Sequence, residues 1–205
     1  MSVRVAECRN LFGKKFQNPL YNHEQMCYNV SILQKRGTIM AELDRITSVC
    51  FTGHRDIDKN SAYFIPSALK ATVRTLIELG ATTFLCGGAV GFDTIAALCI
   101  IELKEEYPDI RLHLVLPCKN QTRMWNETSR TIYDMILKRA DRVEYLHESY
   151  TQNCMHDRNR RLVDLADVCI AYCVHSGGGT AYTMSYALKC NKQLINIYVN
   201  VNKPL

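Results

Sequence analysis

No apolar run in this 205-residue sequence approaches the length of a membrane span, which excludes a helical membrane protein as the expected class. There is no Cys-x-x-Cys pair and no His-x-x-x-His spacing, so the ten cysteines and six histidines do not announce a metal site. His23, Cys27 and Cys8 are the one loose grouping with zinc-ligand chemistry, and they lack paired spacing. No metal and no cofactor are therefore expected. The N-terminal residues Met1-Ser2-Val3-Arg4-Val5 do not form the basic-then-apolar start of a secretory signal. The thiols are accordingly read as reduced and the protein as cytoplasmic. Several cysteines interrupt apolar runs, as in Val49-Cys50-Phe51, Phe84-Leu85-Cys86 and Val168-Cys169-Ile170, where a thiol acts as a small hydrophobe.

Charge of one sign is also scarce. A net charge of +5 is spread over both halves, with short basic runs only at Lys14-Lys15 and Arg158-Asn159-Arg160-Arg161. That is too little for a nucleic-acid footprint, so nucleic acid is not the expected partner and small anions are. A hydrophobic content of 47% with 22% charged residues is enough to build a core, and the length suits one main domain.

Apolar, β-branched stretches alternate with segments of helical period. Strands are expected at Ile46–Thr52, Thr83–Cys86, Arg111–Leu116, Arg142–Leu146, Val168–Cys173 and Leu194–Val199. Helices are expected near Ser61–Leu79, Phe92–Glu105, Thr122–Arg139, Asn153–Leu165 and Ala181–Cys190. The alternation predicts an α/β fold: a Rossmann-like three-layer sandwich with a mainly parallel sheet spanning 46–205. Residues 1–45 do not fit the repeat. They read as a short N-terminal extension, with one helix near His23–Leu33, that packs on the domain or on a partner and is dispensable for folding.

Ligands of such sheets bind beyond the carboxyl ends of the strands, so strand ends carry the functional reading. The first strand ends in Gly53-His54-Arg55, where glycine allows a tight turn and Arg55 reaches the mouth; a plain turn is the alternative. The second ends in Gly87-Gly88-Ala89-Val90-Gly91-Phe92-Asp93. Its glycines precede a helix whose unpaired N–H groups would favour phosphate, with Asp93 as a ribose or base contact or simply a first-turn carboxylate. The fifth runs into Ser176-Gly177-Gly178-Gly179-Thr180, followed by Thr183, which offers a second anion cradle with two hydroxyls a helical turn apart. Arg158, in Met155-His156-Asp157-Arg158, begins a helix and is expected to converge with this turn on one anionic ligand, or else to be a surface charge. Neither Arg158 nor Gly178 is expected in the hydrophobic core. Trp125, after the third strand, either stacks on a base or packs in the core.

Taken together, Gly53-His54-Arg55, Gly87-Gly88-Ala89-Val90-Gly91-Phe92-Asp93 and Gly178-Gly179-Thr180 resemble the ligand-binding turns of the SLOG superfamily. This is the Rossmann-like group named after the DNA-processing protein A and lonely guy families, and the match is to its small bacterial and phage branch of unassigned function. The resemblance covers Ile46 to Val199. Met155-His156-Asp157-Arg158 is similar to the Met-His-x-Arg motif of the phosphoribohydrolases, which release a base from a nucleoside monophosphate. Those enzymes carry a glutamate three residues after the threonine of the second glycine turn, and this sequence has Thr183 there. A hydroxyl cannot steady a developing sugar cation or activate water as a carboxylate does.

The resemblance therefore implies three functions. The leading one is a sensor or sequestering module for a nucleotide-derived signal, ADP-ribose-like or a cyclic nucleotide. The second is an N-glycosidase using Arg158 with Asp93 or Asp157 as its carboxylate. The third is single-stranded DNA binding. Whether the protein forms a homo-oligomer is left open.

Overall fold

The computed structural model describes residues 46–198. The expected N-terminal extension, its helix and the loose Cys8, His23 and Cys27 grouping lie outside the described residues. Six strands and five helices alternate along the chain: β1 (Ser48–Gly53), α1 (Lys59–Glu78), β2 (Thr83–Cys86), α2 (Phe92–Leu103), β3 (Arg111–Cys118), α3 (Glu127–Arg139), β4 (Arg142–His147), α4 (Cys154–Asp164), β5 (Val168–Tyr172), α5 (Gly178–Lys189) and β6 (Gln193–Asn196). All neighbouring strands pair in parallel, in the order β4-β3-β2-β1-β5-β6.

The sequence pattern explains that order. In β1, β2, β3 and β5 almost every residue is buried, as befits strands covered on both faces, whereas β4 alternates Val, Glu and Tyr and is the exposed edge. The chain steps outward from β1 to β4, returns through α4 to β5 beside β1, and ends at β6. Right-handed crossovers in opposite directions put α4 and α5 on the face opposite α1, α2 and α3. In keeping with this, α1 packs on α2, α2 on α3, and α4 on α5. Alternate strand residues Cys50, Leu85, Val115 and Cys169 pack with Leu162, Val163, Ala166 and Ala187 of the α4–α5 side. Phe51 and Phe84 stack with ring centroids 6.3 Å apart, on the residues that alternate with these.

All eight cysteines among the described residues are free thiols, and six are buried. Cys50 and Cys169 face each other across β1 and β5. The hydrogen bond between them, reinforced by burial, pushes the Cys50 thiol well above its ordinary range, so it packs as a neutral apolar group.

Two helix starts differ from the expectation. α3 begins at Glu127 rather than Thr122, because the Asn126 side chain accepts from Ser129 N–H and caps the helix, while Thr122–Trp125 closes a turn. α5 begins at Gly178, three residues earlier than expected, so the glycines form its first turn rather than the loop before it.

The start of the sheet is held by one carboxylate. Asp167 Oδ2 accepts from the backbone N–H and the hydroxyl of both Thr47 and Ser48, at 2.9–3.1 Å. Burial alone would push its carboxyl up, but these donors outweigh it and hold it below the ordinary value near 3.8. A lowered carboxylate contributes stability above its unfolded value that is lost as pH falls through the folded one. Asp167→Asn should therefore cost about 2 kcal/mol at pH 7 in denaturant melts, as for hydrogen bonds to a charged group. The gap to the parent should narrow as pH falls below the ordinary carboxylate value toward the lowered folded one. A gap that stays constant over that fall would contradict this role for the charge.

Candidate functional site

The carboxyl ends of β1, β2 and β5 meet where the strand order reverses beside β1, the place such sheets use for ligands. The two glycine turns that end there are not alike.

The first turn is filled by the protein itself. A Cβ on Gly87 would collide with the Arg158 guanidinium and lie 2.8 Å from Asp93 Oδ2. Gly88 adopts φ +64° with Leu116 Cδ2 2.5 Å from where its Cβ would be, and its carbonyl accepts from Gln121 Nε2, which also donates to Tyr133 OH at 3.1 Å. Gly91, at φ +83°, lies directly against the His54 and Arg55 backbone, and Gly53 against the Phe92 ring. Two of the N–H groups expected to hold phosphate have acceptors within the protein: Ala89 donates to Asp93 Oδ2 at 3.3 Å, and Phe92 to the His54 carbonyl at 3.1 Å. This turn binds the end of β1 to the start of α2.

Asp93 and Arg158, expected as a ribose contact and a phosphate fork, are paired with each other. Both are buried, 5% and 7% exposed, and Asp93 Oδ2 accepts from Arg158 Nη1 at 3.0 Å. Arg158 Nε is buried without a hydrogen-bond partner among the described residues. Burial pushes the Asp93 carboxyl up, and the pull of Arg158 and the Ala89 N–H in the other direction does not fully offset it.

The second turn is open. Ser176, Gly177, Gly178 and Gly179 are exposed, and no atom lies within 4 Å of a Cβ position on Gly177 or Gly178. Gly177 caps α5 with no side-chain bond, which leaves the N–H groups of the first turn for an outside acceptor. Of the two expected hydroxyls, Thr183 is 1% exposed and donates to the Gly179 carbonyl at 2.8 Å, and Thr180 is buried. Both belong to the helix rather than to the opening.

His54 positions this loop. Its Nε2 accepts from Val174 N–H at 2.8 Å and lies 3.4 Å from His175 N, while its backbone N–H donates to the Tyr172 carbonyl at 3.3 Å. Burial, with His175 nearby, lowers its pKa, as suits an imidazole that must stay neutral to accept. Arg55 is exposed at the mouth. Trp125 is half-buried, edge-on to Tyr133 at 5.5 Å, and is thus packed on α3.

The sequence reading passed over a neighbouring group. Asn153, His156, Asp157, Arg160 and Tyr182 line an open cleft of ≈ 240 Å³ between the N-terminal halves of α4 and α5. Of these, Asp157 is expected only as the alternative carboxylate of an N-glycosidase, and His156, in the same Met155-His156-Asp157-Arg158 motif, carries no expected role. Tyr182 follows Thr180 by two residues and carries no pattern of its own. Among the described residues no three His, Cys, Asp or Glu side chains come together as a metal site, and no helix is long and apolar enough to cross a membrane.

A Rossmann-like parallel sheet with glycine turns after β1, β2 and β5 is the architecture of the SLOG superfamily. The chain belongs to the YspA SLOG family (YpsA), whose model matches residues 49–200. It is similar to a UPF0398 protein of Bacillus pumilus, 31% identical over 116 residues that make up 56% of this chain and 62% of that relative. The UPF0398 protein YpsA of Bacillus subtilis is 26% identical over 139 residues, covering 66% of this chain and 77% of the relative. The chain spans about six-tenths of the length of the first curated relatives it matches. Among solved structures, DNA processing protein A from Helicobacter pylori superposes with a TM-score of 0.56 at 21% identity, covering 78% of this chain and 69% of that one. The Streptococcus pneumoniae protein gives 0.55 at 16%, covering 75% and 50%. At these identities the likeness shows the fold.

The buried pair yields an asymmetric prediction. Asp93→Ala strands a guanidinium that cannot deprotonate and should cost about 3–4 kcal/mol. Arg158→Ala leaves a carboxyl that escapes by taking up a proton and should cost less, about 2 kcal/mol. A raised carboxyl contributes stability below its unfolded value that is lost as pH rises through the folded one. Arg158→Ala should accordingly be relatively more stable at about pH 5 than at pH 8 in paired denaturant melts. Equal losses with no pH dependence would contradict burial as the dominant effect on Asp93.

Proposed function

We propose that this protein binds a nucleotide-derived, phosphate-bearing ligand, ADP-ribose-like or cyclic, at the open turn Ser176–Thr180, and that it senses or sequesters that ligand. The observation that carries this reading is the contrast in space over the two glycine turns: both precede helices without a side-chain cap, but one is filled by Arg158, Asp93 and Phe92, and the other has empty space over Gly177 and Gly178. An anion there gains N–H donors and the positive end of α5. His54 then holds the loop from the end of β1, Gly53, Gly87, Gly88, Gly91, Asp93 and Arg158 build the neighbouring strand ends, and exposed Arg55 is a candidate cation for the ligand.

The hydrolase alternative has little geometric support. Thr183 stands where the phosphoribohydrolases have their glutamate, Asp93 is tied to Arg158, and Asp157 Oδ2 is engaged by His147 Nε2 at 3.1 Å. Single-stranded DNA is a second reading. It is favoured by the fold's likeness to the H. pylori protein, which is described by its single-stranded DNA binding mode, so the charge argument against nucleic acid does not stand by itself. Exposed Met124, at 88%, and Tyr150, at 60%, stand on loops after β3 and β4 with Lys119 and Arg123, and could meet bases and phosphates.

Gly177→Val tests the leading reading better than a change at Gly178, whose φ of +84° would strain any side chain. Gly177 has extended backbone and free space, so valine there fills only the cradle. In thermal-shift titrations with adenosine monophosphate, ADP-ribose and cyclic nucleotides, at least one should stabilise the parent by about 3 kcal/mol at 100 times its Kd. The variant should melt like the parent without ligand and lose that gain. Steady release of free base would instead support the hydrolase. Micromolar oligonucleotide affinity that falls steeply with salt would support the DNA reading.

A further inference from the structure

The cleft between α4 and α5 has chemistry that the nucleotide reading does not use. Arg160 Nε donates to Tyr182 OH at 2.6 Å, and its guanidinium carbon lies 5.9 Å from the Tyr182 ring centroid. The His156 ring meets the same tyrosine edge-on, with centroids 4.6 Å apart. The guanidinium is thereby fixed in direction by one nitrogen, with its terminal N–H groups beside the cleft that it lines. Asn153, the N-cap of α4, makes no side-chain cap bond, so the positive end of that helix lies at the cleft that Asn153 lines. Asp157 is the one acid in the lining, and His147 Nε2 sits 3.1 Å from its Oδ2.

We propose that this cleft is a binding site for the phosphate monoester of a small polyol, separate from the glycine turn. Arg160 takes the phosphoryl group, Asp157 and the Asn153 amide take hydroxyls, and the His156 and Tyr182 rings form an apolar wall for the carbon skeleton. The volume sets the size. At ≈ 240 Å³ the cleft falls below the roughly 300 Å³ at which sites for drug-sized ligands begin, so it accommodates one short phosphorylated unit and not a dinucleotide. The mixture of one fixed cation, one carboxylate, an amide and two rings suits a hydroxylated phosphate better than a bare anion, which Asp157 would repel. The site stands whether or not the glycine turn takes a nucleotide.

The test uses the full chain, with inorganic phosphate and glycerol 3-phosphate as probes, followed by NMR at the Arg160 Nε–H and the Tyr182 and Gly178 amides. Both probes should shift Arg160 and Tyr182 saturably, with glycerol 3-phosphate in the low-millimolar range and several-fold tighter than inorganic phosphate. Tyr182 amide shifts, used where Arg160 is absent, should show binding of both probes abolished in Arg160→Gln. Asp157→Asn should keep phosphate binding and erase the advantage of glycerol 3-phosphate. Gly177→Val should bind both as the parent does, so loss of the glycine-turn reading leaves this site intact. A parent with no saturable shift, equal affinities for the two probes, or an Arg160→Gln variant that binds like the parent would each overturn the proposal.

Discussion

The end of this sheet is organised around a guanidinium that occupies the space where a side chain on Gly87 would be. Arg158 comes from α4 on one face of the sheet, Asp93 from the first turn of α2 on the other, and the two meet at 3.0 Å over the end of β2. Gly87 follows directly from that closeness, and the other glycines nearby from the packing of β1, α2 and β3 around it. Gly87 has no room for a side chain, and Asp93 turns inward to take the Ala89 N–H. α2 starts hard against the His54–Arg55 backbone, where only glycine fits at 53 and 91. Burial makes the pair an expensive way to join two layers, since the Asp93 carboxyl stays above its ordinary range even with Arg158 beside it. What it secures is geometry: Arg158 fills the space over Gly87, whereas the space over Gly177 and Gly178 in the loop after β5 is free, and His54 holds that loop in position.

Alternation of apolar strands with helical periods made the fold legible, because a parallel sheet buried on both faces writes continuous Val, Ile, Leu, Phe and Cys into its central strands. Strand ends, and hence the residues near the ligand end, followed from the same pattern. Helix starts were harder to read. Asn126 caps α3 through its side chain, and α5 opens on the glycines 178 and 179 despite their low helix propensity, so periodicity placed one start too early and the other too late.

Function was legible only in part, because a glycine-rich turn reads the same whether a ligand or the protein fills it. Nothing within Gly87–Asp93 signals that Arg158, 65 residues further along, will occupy it. Nor does the sequence signal that Thr183 will turn its hydroxyl back onto Gly179. The α4–α5 cleft was missed for a related reason: its members are four residues of one helix start and a tyrosine in the next, which no linear spacing unites.

Closed and open turns within one sheet give the account its central claim, which amide chemical shifts can read residue by residue. Adding the best-stabilising nucleotide to isotope-labelled protein should move the Gly177, Gly178, Gly179 and Thr180 amides first and furthest, with Gly87, Gly88 and Ala89 responding weakly through Arg158. Leading shifts at Gly87–Gly91 with a silent Gly177–Thr180 would mean that the ligand displaces the Asp93–Arg158 pair, and the assignment of a structural and a binding turn would be reversed.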